Sequence, residues 1–168
     1  MKAVALREPT DGQWGRKIRE IATNGRDGIS PEEELSYFVN DRHEDVEKNI
    51  IPAINDGFIV VMDRYIYSNM AYQGAIGIDI DHIVEINSQF PKPDAVIFLD
   101  FKPSEGLGRV ESRGAANAGF EKIEFLEKVY AMYQLPQFGV MTRISAKGTI
   151  EEVGERIWEV VAPLIEGI

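Results

Sequence analysis

Cysteine is absent from the 168-residue sequence. That removes disulfides, thiolate nucleophiles and cysteine metal sites from consideration. Long apolar runs are missing too: between Lys2 and Arg7 only Ala3, Val4, Ala5 and Leu6 are apolar. A signal peptide needs an apolar stretch of roughly 7–15 residues and a membrane span about 20, so a cytoplasmic chain with no membrane partner is expected. Basic side chains are outnumbered, 18 against 28 acidic, for a net charge of −10. Nonspecific binding to nucleic acid or an anionic membrane requires a basic face, and neither is expected here. A few arginines in a cleft could still hold a small phosphorylated ligand. His43 and His82 have no companions at metal-ligand spacing and read as surface residues. Internal repeats and low-complexity linkers are also lacking.

What is present is a 44% apolar chain, enough to bury the core of a single domain covering 1–168. Short β-branched runs alternate with helical patterns. Lys2–Leu6 reads as a strand, followed by a turn through Pro9-Thr10-Asp11-Gly12 and a helix to about Asn24. Ser30, Pro31 and three glutamates give an N-cap, an N1 proline and an acidic first turn. That helix should run to Asn55, bent near Pro52, and stop at Gly57. Phe58–Met62 reads as a parallel strand covered on both faces. Helices are expected around Ser68–Gln73, Asp79–Gln89, Pro103–Ser112, Glu121–Leu135 and Ile150–Ile165, with strands at Ala95–Leu99 and Val140–Ile144. Such alternation implies an α/β fold with a doubly wound parallel sheet. Ligands of these sheets sit beyond the carboxyl ends of the strands. That singles out Arg7-Glu8-Pro9, Asp63-Arg64-Tyr65, Asp100 and Ser145-Ala146-Lys147.

Asp63-Arg64 directly follows a buried-type strand. A carboxylate there can hold magnesium through water, and a guanidinium can grip a phosphate; a strand-end ion pair is the plain alternative. The surroundings add weight. Arg7-Glu8-Pro9, then Phe38 with Arg42, then Asp63-Arg64-Tyr65 with Ser68-Asn69 and Ala71-Tyr72-Gln73-Gly74, then Pro91-Lys92-Pro93-Asp94 before a strand, together resemble the bacterial thymidylate kinases. The resemblance runs from about residue 3 to the C-terminus. It implies a P-loop NTPase-like fold, phosphorylation of dTMP by ATP with Mg²⁺, and a homodimer.

By that resemblance Phe38 stacks on the thymine and Arg42, one helical turn on, donates to a base carbonyl. A fixed donor there disfavours a base carrying an amino group. Asn69 reads the base edge, helped by Gln73, while Tyr72 lies under the sugar. Arg7 and Arg64 bind the acceptor phosphate. Arg109 and Arg113 belong to a lid of about residues 109–122 that closes over the phosphates and delivers a transition-state arginine. Ala146 and Lys147 lie in the loop lining the adenine. Asp63 is the magnesium residue, through water. Local alternatives stay open. They are core packing for Phe38 and Phe120, a solvated helix face for Arg42, and a polar cap beside a buried tyrosine for Asn69 and Tyr72. For one of Arg109 and Arg113 a solvated helix-end arginine is the plain alternative, and Thr149 can be an ordinary N-cap.

One element of the family is not found. No Gly-Lys pair occurs in the chain, and Gly106-Leu107-Gly108 has Glu111 where a third glycine would fall. A Gly-x-x-x-x-Gly-Lys-Ser/Thr loop normally cradles the donor phosphates. The resemblance therefore implies a fold missing its first, central strand, with the loop and first helix, about 25–30 residues in all. Three expectations follow: weak or no turnover by this chain, direct pairing of the strands around Val60 and Ile97 or exchange with a second chain, and exposed apolar strand residues. A dTMP-binding scaffold without ATP hydrolysis is the alternative reading.

Overall fold

The computed structural model describes residues 2–106 and 118–166, with only the backbone course described for 118–122. Two compact units divide the chain, Met1–Pro91 and Lys92–Ile168.

In the first unit, β1 (Lys2–Arg7) and β2 (Phe58–Asp63) form a parallel ladder with Lys2 opposite Phe58 and Arg7 opposite Asp63. Between them run α1 (Gln13–Asn24) and α2 (Pro31–Asp45). The Ser30 side chain accepts from the Glu33 amide, as its place before Pro31 predicts. The expected long helix is interrupted at Val46–Ile50, a π-helical turn, before α3 (Ile51–Asn55). Pro52 lacks an amide hydrogen and its ring crowds the carbonyl four residues back. The chain answers by widening the preceding turn, with the Ile51 amide donating to Val46 O. Gly57, at φ 75°, ends the helix in a left-handed conformation that suits glycine. α4 (Ile66–Ala75) and α5 (Ile80–Asn87, capped by Asp79) complete the unit. Its apolar core includes Ile18, Ile21, Leu35, Met70, Ile83 and Phe90.

Close packing at one point dictates a glycine. A Cβ on Gly15 would lie 1.9 Å from the Thr10 carbonyl oxygen, so α1 presses directly onto the segment after β1. Arg19 then donates to Pro9 O and Thr10 O at 2.9 and 2.6 Å.

In the second unit, β3 (Ile97–Asp100) pairs in parallel with β4 (Thr142–Ser145). A short 3-10 turn, Pro103–Gly106, follows β3, and α6 (Ala118–Met132) and α7 (Ile150–Ile165) are its helices. Thr149 and Glu152 make a reciprocal capping box at the start of α7. Phe98 packs against Tyr133, which meets Phe138 edge-on.

The α/β class is as expected, with short parallel sheets. Several details differ from the sequence reading. β2 is not covered on both faces, since Val61 is 55% exposed. Leu99 in β3 is also largely exposed. Among the described residues the strand around Val60, β2, partners β1, and the strand around Ile97, β3, partners β4. α6 already includes Ala118 and Gly119, expected as loop, and β4 starts only at Thr142. Among the described residues no helix is long and apolar enough to cross a membrane.

Candidate functional site

The carboxyl ends of β1 and β2 carry charge, as the parallel arrangement requires of a ligand-facing edge. Arg7 Nε lies 3.6 Å from Asp63 Oδ2, both side chains being largely exposed. The next residue, Arg64, turns the chain from β2 into α4 with φ 69°. A side chain costs energy in that left-handed region, and such strain concentrates where geometry serves function. Arg64 stacks over the Tyr72 ring, 5.0 Å from its centroid, and donates to the Tyr72 hydroxyl at 3.3 Å. An exposed group of two arginines and one carboxylate thus gathers here.

Behind it lies a buried polar relay. Arg42, on α2, is 1% exposed. Its Nη2 donates to Glu8 Oε2 at 2.6 Å, and its Nη1 to Asn69 Oδ1 at 3.3 Å and to Asn87 Oδ1. The guanidinium also sits over Tyr65 and Phe90, 4.9 and 5.8 Å from their ring centroids. Asn69 Nδ2 passes on to Gln73 Oε1 at 2.9 Å, and Gln73 Nε2 to Glu34 Oε1 at 3.1 Å. Arg26 closes the far end with Nε 2.6 Å from Glu34 Oε2. Alongside, the Asp41 carboxylate accepts from the Thr10 amide and hydroxyl at 2.8 and 2.6 Å, anchoring the segment that carries Glu8.

Burial is costly for charge, and the relay shows it. Desolvation pushes the Glu8 carboxyl up to about 7, with the neighbouring Arg42 opposing the rise. Burial likewise lifts the Tyr65 hydroxyl to about 12. Glu8 Oε1, Arg42 Nε, Asp45 Oδ2 and the Tyr65 hydroxyl have no protein hydrogen-bond partner among the described residues.

Of the sequence-predicted residues, Arg42, Asn69 and Gln73 meet in this relay, Arg7 meets Asp63, and Arg64 meets Tyr72. Phe38 is half-buried on α2, one turn from Arg42. Arg109 and Arg113 lie outside the described residues, as does the side chain of Phe120. Both histidines are exposed, as expected. Sequence reasoning singled out Glu8 only within Arg7-Glu8-Pro9 at a strand end, without a role, and did not reach Asn87 or Glu34. The available signal for Asn87 was its place four residues after Ile83, a polar side chain on the apolar stripe of α5.

In the second unit, a shallow cavity of about 250 Å³ opens at the carboxyl ends of β3 and β4, between Asp100, Lys102, Tyr130, Arg143 and Lys147. Lys147 Nζ pairs with Glu105 Oε2 at 2.7 Å, and the Tyr130 hydroxyl donates to Asp100 at 2.8 Å. Arg156 on α7 donates to Lys147 O at 2.9 Å, fixing the loop that includes Ala146.

The family model described as thymidylate kinase matches residues 1–157. A protein of Archaeoglobus fulgidus named "Probable thymidylate kinase" is 41% identical over 161 residues, 95% of this chain and 80% of that protein. The "Thymidylate kinase" of Desulfotalea psychrophila is 40% identical over 167 residues, 99% of this chain and 82% of its own length. That of Xanthomonas oryzae pv. oryzae is 42% identical over 138 residues, 80% of this chain, and the match spans 60% of its length. With the family model covering nearly the whole chain and relatives this similar, the protein belongs to the thymidylate kinase family.

Proposed function

We propose that this chain binds dTMP and takes part in its phosphorylation, ATP + dTMP → ADP + dTDP, the step that leads towards dTTP. The observation that carries the reading is the relay holding Arg42 and Asn69 side by side behind a cationic edge made by Arg7 and Arg64. Planar donors fixed by buried partners suit a base carbonyl, and exposed guanidiniums suit a phosphate dianion.

In this reading Phe38 supplies the stacking face and Arg42 the donor to the base. Asn69 and Gln73 complete the polar wall, and Tyr72 packs under the sugar. Arg7 and Arg64 neutralise the acceptor phosphate and orient one oxygen for in-line attack on the γ-phosphorus, with ADP as leaving group. Arg109 and Arg113 act from the lid, and Ala146 and Lys147 line the adenine beside the second unit's cavity. Magnesium, when bound, neutralises charge on the transferring phosphates. Asp63 fits that ion, being an exposed hard-oxygen donor at a strand end. Among the described residues no cluster of three or more acidic or histidine groups could cage a metal, so water and phosphate oxygens would complete the shell, as magnesium prefers. A doubly wound arrangement of the family type, a cytoplasmic location and a homodimer belong to the same proposal.

Calorimetry with dTMP and with ATP, followed by a coupled assay for ADP release, tests it. Saturable dTMP binding that weakens in Arg64→Ala is expected. No dTMP binding at millimolar concentration would overturn the reading.

A further inference from the structure

The amides of the buried relay have only one consistent orientation, and Asn87 is hydrogen-bonded to both residues at its head, Arg42 and Asn69. Arg42 can only donate, and both oxygens of Glu34 accept, from Arg26 and from Gln73. Facing Arg42, Asn69 must therefore present Oδ1, which leaves its Nδ2 for Gln73 Oε1 and turns Gln73 Nε2 to Glu34. Asn87 stands at the head of this sequence. Its Oδ1 accepts from Arg42 Nη1, and its Nδ2 donates to Asn69 Oδ1 at 3.1 Å and to Ile83 O at 2.7 Å. The side chain is 98% buried (2% exposed) with both of its polar ends engaged. It comes from the last turn of α5 and reaches Arg42 on α2 and Asn69 on α4 at once.

We infer that Asn87 is a positioning residue for base discrimination, fixing the guanidinium plane of Arg42 and the amide direction of Asn69 without touching the nucleotide. This rests on the acceptor reading above. Tyr65 and Phe90 flank the Arg42 guanidinium and Glu8 takes its Nη2, so the direction of the Nη1 donors is set by the acceptors that Nη1 meets. Asn69 alone holds it weakly, at 3.3 Å. Asn87 supplies the second fixed acceptor and, through Nδ2, prevents Asn69 from flipping its amide towards Arg42. A donor held in this way favours the 4-carbonyl of thymine over the 4-amino group of cytosine. The same donor with its Nη1 direction unset would distinguish them poorly.

The test compares dTMP and dCMP affinities by calorimetry for the full chain and for Asn87→Ala and Asn87→Asp, with thermal unfolding alongside. Asn87→Ala is expected to weaken dTMP about tenfold, the worth of one hydrogen bond to a charged group, while dCMP changes little, so that the ratio falls. Asn87→Asp keeps the volume and an acceptor for Arg42 but sets an oxygen against Ile83 O and Asn69 Oδ1. It should fall between wild type and Ala. A merely structural role would lower the melting temperature and the active fraction while leaving the dTMP/dCMP ratio of the folded fraction unchanged. That result in either variant overturns the inference, and if Asn87→Ala does not fold, Asn87→Asp decides. Absence of dTMP binding by the wild-type chain would instead sink the acceptor reading itself.

Discussion

Glu8 is a buried carboxyl whose proton affinity is raised well above its ordinary value. Its carboxyl, raised to about 7 mainly by burial, binds a proton more tightly in the folded chain than in the unfolded one, where the ordinary value is 4.5. The folded state therefore takes up more protons between those two values, and stability falls as pH rises from about 4.5 to about 7. The Glu8 contribution to that fall is at most about 3 kcal/mol. In Glu8→Gln, denaturant titrations across this range should show a shallower decline than wild type; parallel curves would place Glu8 in a water-like setting. Arg64 offers a backbone test. With φ at 69°, Arg64→Gly should be more stable than Arg64→Ala by about 1 kcal/mol, although both discard the guanidinium. Equal stabilities would mean that the corner relaxes to negative φ in the variants. Phe38, Arg42, Asn69 and Tyr72 could be named from the sequence because their spacing in the chain matches a family pattern. Asn87 was not reached and Glu8 was singled out only as a strand-end residue, since what joins them to Arg42 is contact across 45 and 34 residues, and no local pattern encodes that.

Elements were legible where a local chemical rule sets them. Ser30 before Pro31 and Thr149 before Glu152 announce helix starts, and both caps are made as those residues suggest. Gly57 ends its helix for the same kind of reason. Pro52 signalled a disturbance but not its form, because a π turn and a simple bend differ only in how the preceding carbonyls find partners. Strand partners were illegible, as parallel pairing joins residues far apart in sequence through backbone groups that every residue shares. The contact between α1 and the segment after β1 gives an element-scale prediction. In Gly15→Ala the new methyl would meet the Thr10 carbonyl, and backbone cannot rotate aside as a side chain can. A loss of about 1–3 kcal/mol is expected, with weaker dTMP binding because the Thr10–Asp41 anchor shifts with Glu8. Unchanged stability in urea titration would show that α1 moves away without cost.

Across the whole molecule the apolar core is unevenly supplied. Among the described residues, Met1–Pro91 holds most of the fully buried aliphatic and aromatic side chains, whereas Lys92–Ile168 has Val129, Phe138 and Ile144. Helix α7 buries none of its residues and leaves Trp158 60% exposed. Opening free energy follows buried apolar contact. Native-state hydrogen exchange should therefore protect amides of β1, β2, α2 and α4 more strongly than those of β4 and α7. Uniform protection would contradict it. The relay from Arg42 to Glu34 lies wholly in the better-packed unit, and its polarity has a thermodynamic meaning. In ice each hydrogen bond can point either way, and the many permitted arrangements leave entropy even in the cold crystal. Here the two ends are chemically incapable of exchanging roles, so every proton between them is assigned and no such disorder remains. If the proposed acceptor reading holds, dTMP would meet a wall whose donors and acceptors are already assigned, with nothing left to orient.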